Sequence, residues 1–124
     1  MHIIHGKCFD KPWSKEEIDT LINSEGVFYV KHEEKGFILC RKVLDEVEIL
    51  TICVLKEYRN QGIGKILLNK AFSLAKNTIF FLEVNENNTP AIKLYHSCGF
   101  EVVGLRKKYY NNKDNALIMR KENV

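Results

Sequence analysis

A chain of 124 residues that is 45% hydrophobic and 28% charged is long enough for one compact domain, residues 1–124, and too short for two. Its net charge of +3 is spread along the sequence. That does not argue for nucleic-acid partners, whose binders gather Lys and Arg on one face, and no direct nucleic-acid binding is expected. No run approaches the ~20 apolar residues of a membrane span, and the start, MHIIHGKCFD, lacks a basic-then-apolar leader pattern.

Four cysteines (Cys8, Cys40, Cys53, Cys98) lie far apart with no C-x-x-C pair. They are expected to be reduced thiols of a cytoplasmic protein. His2 and His5 share a helical face, but no ligand pair follows at a familiar spacing, so no metal site is expected.

Met1–Phe9 reads as the end of a helix that Pro12 breaks, with Trp13 as a packing anchor at the corner. Ser14-Lys15-Glu16-Glu17 is a capping box ahead of Ile18, Leu21 and Ile22. Gly26 closes the helical part. Val27–Lys31 is a short strand, and Phe37–Leu44 and Val47–Leu55 are longer ones joined at Asp45-Glu46, which makes an antiparallel meander. A glycine-bearing turn, Glu57–Gly64, leads into a helix that places Ile63, Leu67, Leu68, Ala71, Phe72 and Ala75 on one side.

Thr78–Val84 is another apolar strand. Thr89 is read as the cap of a helix with Pro90 at its first position and Gly99 just past its end. Phe100–Leu105 is a strand, Arg106–Asn115 a polar loop and Ala116–Arg120 a last strand. The order α-α-β-β-β-α-β-α-β-β predicts an α/β (α+β) fold. Its mixed, mostly antiparallel sheet has one parallel strand–helix–strand connection and helices on both faces.

The strand, turn and helix from Glu48 to Lys76 carry the first chemical signal. A helix start exposes amides without intrahelical partners and holds partial positive charge. Gly62 and Gly64 allow close backbone approach, and Arg59 and Lys65 add full charges, so the turn suits a phosphate or diphosphate. One residue separates the two glycines and Ile66 follows Lys65, which fails the P-loop. Leu67 stands where the dinucleotide fingerprint needs a small residue. A plain glycine turn before an amphipathic helix is the other reading.

Ligands of such sheets bind off the carboxyl ends of the parallel strands. Near that edge Glu83 ends one strand, Asn88 opens a helix and Tyr95 lies within it. Alone, these read more often as a solvated or lysine-paired acid, a turn or cap residue and a core tyrosine than as chemistry. Cys53, on the preceding strand, has no His or acid near it in sequence to activate a thiolate and reads as a small buried hydrophobe.

Arg59-Asn60-Gln61-Gly62-Ile63-Gly64 resembles the Q/R-x-x-G-x-G/A signature of the GNAT superfamily of N-acetyltransferases. Leu82-Glu83-Val84 followed by Asn88, Ala91, Tyr95, Gly99 and Phe100 resembles a segment of the branch that acetylates ribosomal-protein alanine, the RimI type. Lys11-Pro12-Trp13-Ser14, Val43-Leu44-Asp45-Glu46 and the Arg106–Tyr110 run extend the likeness from Phe9 to Met119.

The resemblance implies acetyl-CoA as co-substrate and a protein N-terminus, an alanine of a small-subunit ribosomal protein, as acceptor. It implies that the backbone of Ile52, Cys53 and Val54 pairs with the pantetheine arm. Arg59, Asn60, Gln61, Gly62, Ile63, Gly64 and Lys65 would hold the diphosphate, and Asn88 would contact the cofactor. Glu83 is implied as general base and Tyr95 as general acid, with Tyr109 and Tyr110 over the acceptor peptide. Relatives begin with a strand and most of a helix before the position of Phe9, so the first strand of the sheet is expected to be missing. A GNAT enzyme for a small amine or lysine, and a non-catalytic acyl-CoA-binding module, remain alternatives.

Overall fold

The computed structural model describes residues 1, 3, 5, 13–110 and 113–124, and of 108–110 the backbone alone. The described elements are α1 (Lys15–Ile22), β1 (Val27–His32), β2 (Gly36–Val43), β3 (Glu46–Val54), α2 (Ile63–Leu74), β4 (Thr78–Asn85), α3 (Thr89–Ser97), β5 (Glu101–Tyr110) and β6 (Asp114–Asn123). A single 3-10 turn at Lys56–Tyr58 joins β3 to the glycine turn.

The strands form one sheet in the order β1-β2-β3-β4-β6-β5. Only β3 and β4 run parallel; every other pair is antiparallel. Among the described residues no strand pairs with the outer edge of β1.

Both faces are covered, for reasons visible in the alternation. Ile38 and Cys40 of β2, Val47 of β3 and Phe80 and Leu82 of β4 point to the side of α2 and α3, where they meet Leu67, Leu68, Ala71 and Tyr95. Phe37, Leu39, Cys53 and Leu55 point the other way, where Trp13, Leu21 and Ile22 cover them. β2 is therefore buried on both faces, and its run of apolar residues follows from that.

The capping box forms as read. Ser14 Oγ accepts from the Glu17 amide at 3.1 Å and Glu17 Oε1 from the Ser14 amide at 3.3 Å. Trp13 anchors its corner by stacking on the buried ring of His5, with centroids 4.8 Å apart. The Lys11-Pro12 half of that corner lies outside the described residues, as does most of Met1–Phe9, of which Ile3 and His5 are helical.

Two boundaries differ from the sequence reading. The cap of α3 is Asn88, one residue before Thr89. Its side chain accepts from the Ala91 amide at 3.3 Å, and Pro90 sits in the first turn where it sacrifices no hydrogen bond. Arg106–Asn115 is largely strand, with Leu105 opposite Leu117, Arg106 opposite Ala116 and Tyr110 opposite Asp114. Polar composition there marks a solvent-facing edge strand rather than a loop, since charges on an edge discourage further pairing.

Three irregularities interrupt the described ladders: two single-residue bulges and a shift between Arg106, opposite Ala116, and Tyr110, opposite Asp114. Leu39 is opposite Thr51 but Cys40 is opposite Ile49, so Leu50 is an extra residue in β3. Val102 is opposite Met119 but Gly104 is opposite Ile118, so Val103 is an extra residue in β5. Each bulge reverses which face the following side chains occupy. The parallel ladder of β3 with β4 holds only over Glu46–Glu48 against Ile79–Phe81 and stops before the first bulge.

Candidate active site

Beyond the end of that short ladder the described residues line a cavity on each face of the sheet. The first, about 660 Å³, lies on the α2/α3 side. Ile52, Cys53 and Val54 of β3 form one wall, and Ala91, Leu94 and Tyr95 of α3 the other. Its end is the turn Arg59, Asn60, Gly62, Ile63, Gly64 and Lys65. The second, about 390 Å³, lies on the α1 side and is lined by Trp13, Leu21, Glu48, Ile49, Leu50, Glu83 and Arg106. β3 contributes to both, so a few residues of one strand separate them.

The turn has the features an anion cradle needs. Gly62 caps α2 with φ 79°, a left-handed conformation that an L side chain resists. The first intrahelical bond runs from the Ile66 amide to Gly62 O at 3.0 Å, so the amides of Ile63, Gly64 and Lys65 lie ahead of the helical ladder. A Cβ at Gly62 would meet no protein atom within 4 Å, so it would project into open space at the cradle. A Cβ at Gly64 would stand 2.9 Å from Leu94 Cδ2, so this glycine lets α2 and α3 approach. Arg59 Nε donates to Val54 O at 2.9 Å, which fastens the turn to the end of β3. Exposed amides, the helix dipole and two cations fit a diphosphate, and the apolar walls above them fit an extended acyl carrier.

All the residues expected to hold the cofactor line this first cavity except Gln61, which is exposed beside it. Asn88 lines it while its Oδ1 caps α3. Tyr95 also lines it and is buried, with its ring edge-on to Phe100 at 5.8 Å. Glu83 lies in the second cavity and is partly exposed, because along β4 it alternates with the inward-facing Leu82 and Val84. The two expected proton-transfer residues thus face opposite sides of the sheet, next to the point where the β3–β4 ladder ends. The side chains of Tyr109 and Tyr110 lie outside what is described.

Three contributions were not singled out in the sequence. Tyr58 and Leu94 line the first cavity. Leu94 follows from the α3 face that carries Ala91 and Tyr95, and so was findable from helical spacing. Arg106 reaches Glu83, with Nη2 to Oε1 at 2.9 Å, across an intervening strand, and no local pattern signals that pair.

Cys40 is not a nucleophile: burial in the core pushes its thiol up to about 12. Among the described residues no group of three His, Cys, Asp or Glu side chains is placed to hold a metal ion, and no helix is long and apolar enough to cross a membrane.

Residues 1–100 match the family model described as "Acetyltransferase (GNAT) family". A "[Ribosomal protein bS18]-alanine N-acetyltransferase" of Haemophilus influenzae is 36% identical over 121 residues, covering 87% of this chain and 80% of that protein. The crystal structure of the ribosomal-protein-S18-alanine N-acetyltransferase from Escherichia coli superposes with a TM-score of 0.88 at 26% identity, over 99% of this chain and 85% of that one. A Bacillus anthracis acetyltransferase solved in complex with acetyl coenzyme A superposes with a TM-score of 0.73 at 30% identity, over 84% of this chain and 66% of that one. The chain therefore belongs to the GNAT family and is an acetyl-CoA-dependent N-acetyltransferase.

Proposed function

We propose that residues 1–124 form one acetyltransferase domain that moves the acetyl group of acetyl-CoA to the N-terminal α-amine of a protein. The acceptor on this reading is an N-terminal alanine of a small-subunit ribosomal protein, modified in the cytoplasm. The likeness to relatives that bear that name supports the acceptor class. The observation that carries the chemistry is the pair of cavities bordered by one strand. A thioester laid along Ile52–Val54 from the diphosphate cradle reaches the end of the β3–β4 ladder, and an acceptor in the second cavity meets it there.

Each residue then has one task. The amides of Ile63, Gly64 and Lys65, with the cations of Arg59 and Lys65, hold the diphosphate. An amine attacks only when unprotonated. A protein α-amine with pKa near ~8 is easier to deprotonate at neutral pH than a lysine near ~10.4, by roughly 3 kcal/mol. Glu83 takes that proton, directly or through a water. Tyr95, on the cofactor side, returns a proton to the departing sulfur. Transfer is direct, with no acyl-enzyme.

The test is acetylation, followed by mass spectrometry, of a peptide panel: free N-terminal alanine, other N-termini, blocked N-termini with an internal lysine, and polyamines. Modification concentrated on the alanine α-amine is expected. Equal or greater modification of the lysine or the polyamines overturns the acceptor assignment in favour of a small-amine or lysine enzyme. No turnover with any acceptor, despite binding of CoA, favours a binding module.

A further inference from the structure

Glu83 and Arg106 form an ion pair of 2.9 Å between strands that are not neighbours, since β6 lies between β4 and β5. Adjacent strands lie about 4.8 Å apart, so the arginine spans nearly two spacings. Three features of the sheet clear its path. Arg106 is opposite Ala116, whose methyl leaves room for a side chain to pass over β6. Ile118, the neighbour of Glu83 on β6, leans over Gly104, where an added Cβ would stand 3.3 Å from its Cδ1. The third is the bulge at Val103.

The bulge decides the matter. Before it, Val102 is opposite Met119, which faces the α2/α3 core. Were that register continued, Leu105 would stand opposite Ala116, and Arg106 opposite Asn115 on the far face from Glu83. The extra residue reverses the alternation, so that Arg106 comes to the face of Ala116, Ile118 and Glu83. A sheet irregularity thus aims one cation at one carboxylate in the acceptor-side cavity.

A packing role does not account for the pair. The side chains are 53% and 27% exposed, and ion pairs this open to water add little to stability. What the contact does fix is geometry, because it binds one carboxylate oxygen and sets the plane of the group. We propose that Arg106 is the positioning residue for Glu83: it holds Oε1 so that Oε2 meets the proton of the acceptor amine. This inference rests on the reading of Glu83 as the proton acceptor.

Steady-state kinetics with acetyl-CoA and an alanine-terminated peptide test it, using Glu83→Gln, Arg106→Gln, Arg106→Lys and the double variant Glu83→Gln/Arg106→Gln. Glu83→Gln is expected to lower kcat by ~10²-fold, the effect of losing a general base. Arg106→Gln is expected to lower kcat by ~10-fold through misorientation, with the KM for acetyl-CoA unchanged. Arg106→Lys should recover part of that loss. The double variant should match Glu83→Gln to within ~2-fold, because a residue that acts through another adds nothing once the other is gone.

Losses that multiply in the double variant, or an Arg106→Gln enzyme as fast as the parent, overturn the inference while leaving Glu83 in its role. A Glu83→Gln enzyme at full speed overturns the role of Glu83, and the inference with it. Thermal melts of the Arg106 variants are expected to stay close to the parent. A collapse shared by Gln and Lys would show a structural pin and overturn the proposal.

Discussion

Replacing Gly62 with alanine separates the backbone's part in the cradle from its part in the fold. Gly62 sits at φ 79° and lines the first cavity, and an added Cβ would touch no protein atom within 4 Å. The folded state therefore suffers only the left-handed conformation, about 1–2 kcal/mol, partly offset by a stiffer unfolded chain, about 0.4–1 kcal/mol. The net loss is about 1 kcal/mol. At about 2.1 cal/mol/K per residue, the 124 residues have a melting entropy near 0.26 kcal/mol/K, so Tm should fall by about 4 °C.

The methyl group also holds a diphosphate off the amides of Ile63 and Gly64. Loss of one charge-assisted hydrogen bond, about 1.4 kcal/mol, weakens binding about tenfold. At a CoA concentration of about 100 times the parent's Kd, the parent should gain about 2.7 kcal/mol, or about 10 °C, and the variant about half that. Thermal melts with and without CoA measure both numbers. Gly99→Ala is the control, because Gly99 has φ 97° but does not line the cavity. It should lose stability and keep the full CoA shift. A Gly62→Ala protein that keeps the full shift would refute the cradle.

Other substitutions test other parts of the molecule. Asn123 Nδ2 donates to Phe72 O at 2.9 Å and Ala75 O at 2.7 Å, closing the end of α2 from β6; Asn123→Ala should cost about 2 kcal/mol in urea unfolding, from one buried and one partly buried hydrogen bond. The Cys40 thiol is held protonated up to about 12 when folded, against an ordinary 9.0, so the unfolded chain sheds this proton first. Its contribution is complete below pH 9.0 and is lost as pH rises toward 12. Between about pH 8 and pH 10 the parent should therefore lose about 1 kcal/mol more unfolding free energy than Cys40→Ala. Tyr95→Phe keeps the ring against Phe100 and should leave CoA binding and the fold intact while lowering kcat by ~10²-fold, read in the same peptide assay.

What could be read from the sequence was what is local. Strand, turn and helix from Glu48 to Leu74 are contiguous, so the turn's residues fall in one stretch; their spacing fails the common phosphate motifs and the family resemblance marks them, and all but Gln61 line the cavity. The capping box at Ser14–Glu17 is likewise four residues whose partners are each other. What escaped depends on neighbours far away in the chain. Arg106–Tyr110 carries charges that read as loop, yet pairing with β6 makes it strand. The bulges at Leu50 and Val103 exist only relative to β2 and β6, and nothing in EILTICV or EVVGL marks an extra residue. Asn88 rather than Thr89 caps α3, because both are good caps and the final choice lies in the loop geometry.

The two bulges set which side chains meet the cavity on each face of a sheet whose core is filled on both sides. Val47 and Ile49 face the α2/α3 core, and were Leu50 paired regularly instead of bulged, Cys53 would join them and Ile52 would turn away. With Leu50 bulged, Ile52 and Val54 face the α2/α3 side instead, and Leu50 itself lines the second cavity. On β5 the insertion of Val103 turns Arg106 toward Glu83. Regular strands would have turned Arg106 away from Glu83 and set a different row of side chains along the first cavity. Inserting one alanine between Thr51 and Ile52 should therefore do more than loosen the core. It should turn Ile52 and Val54 to the α1 face and abolish CoA binding, whereas deleting Leu50 would leave Thr51 opposite Leu39 and Ile49 opposite Cys40 and so keep their facing. An insertion variant that folds and still binds CoA with the parent's affinity would show that the strand's parity does not matter to the site.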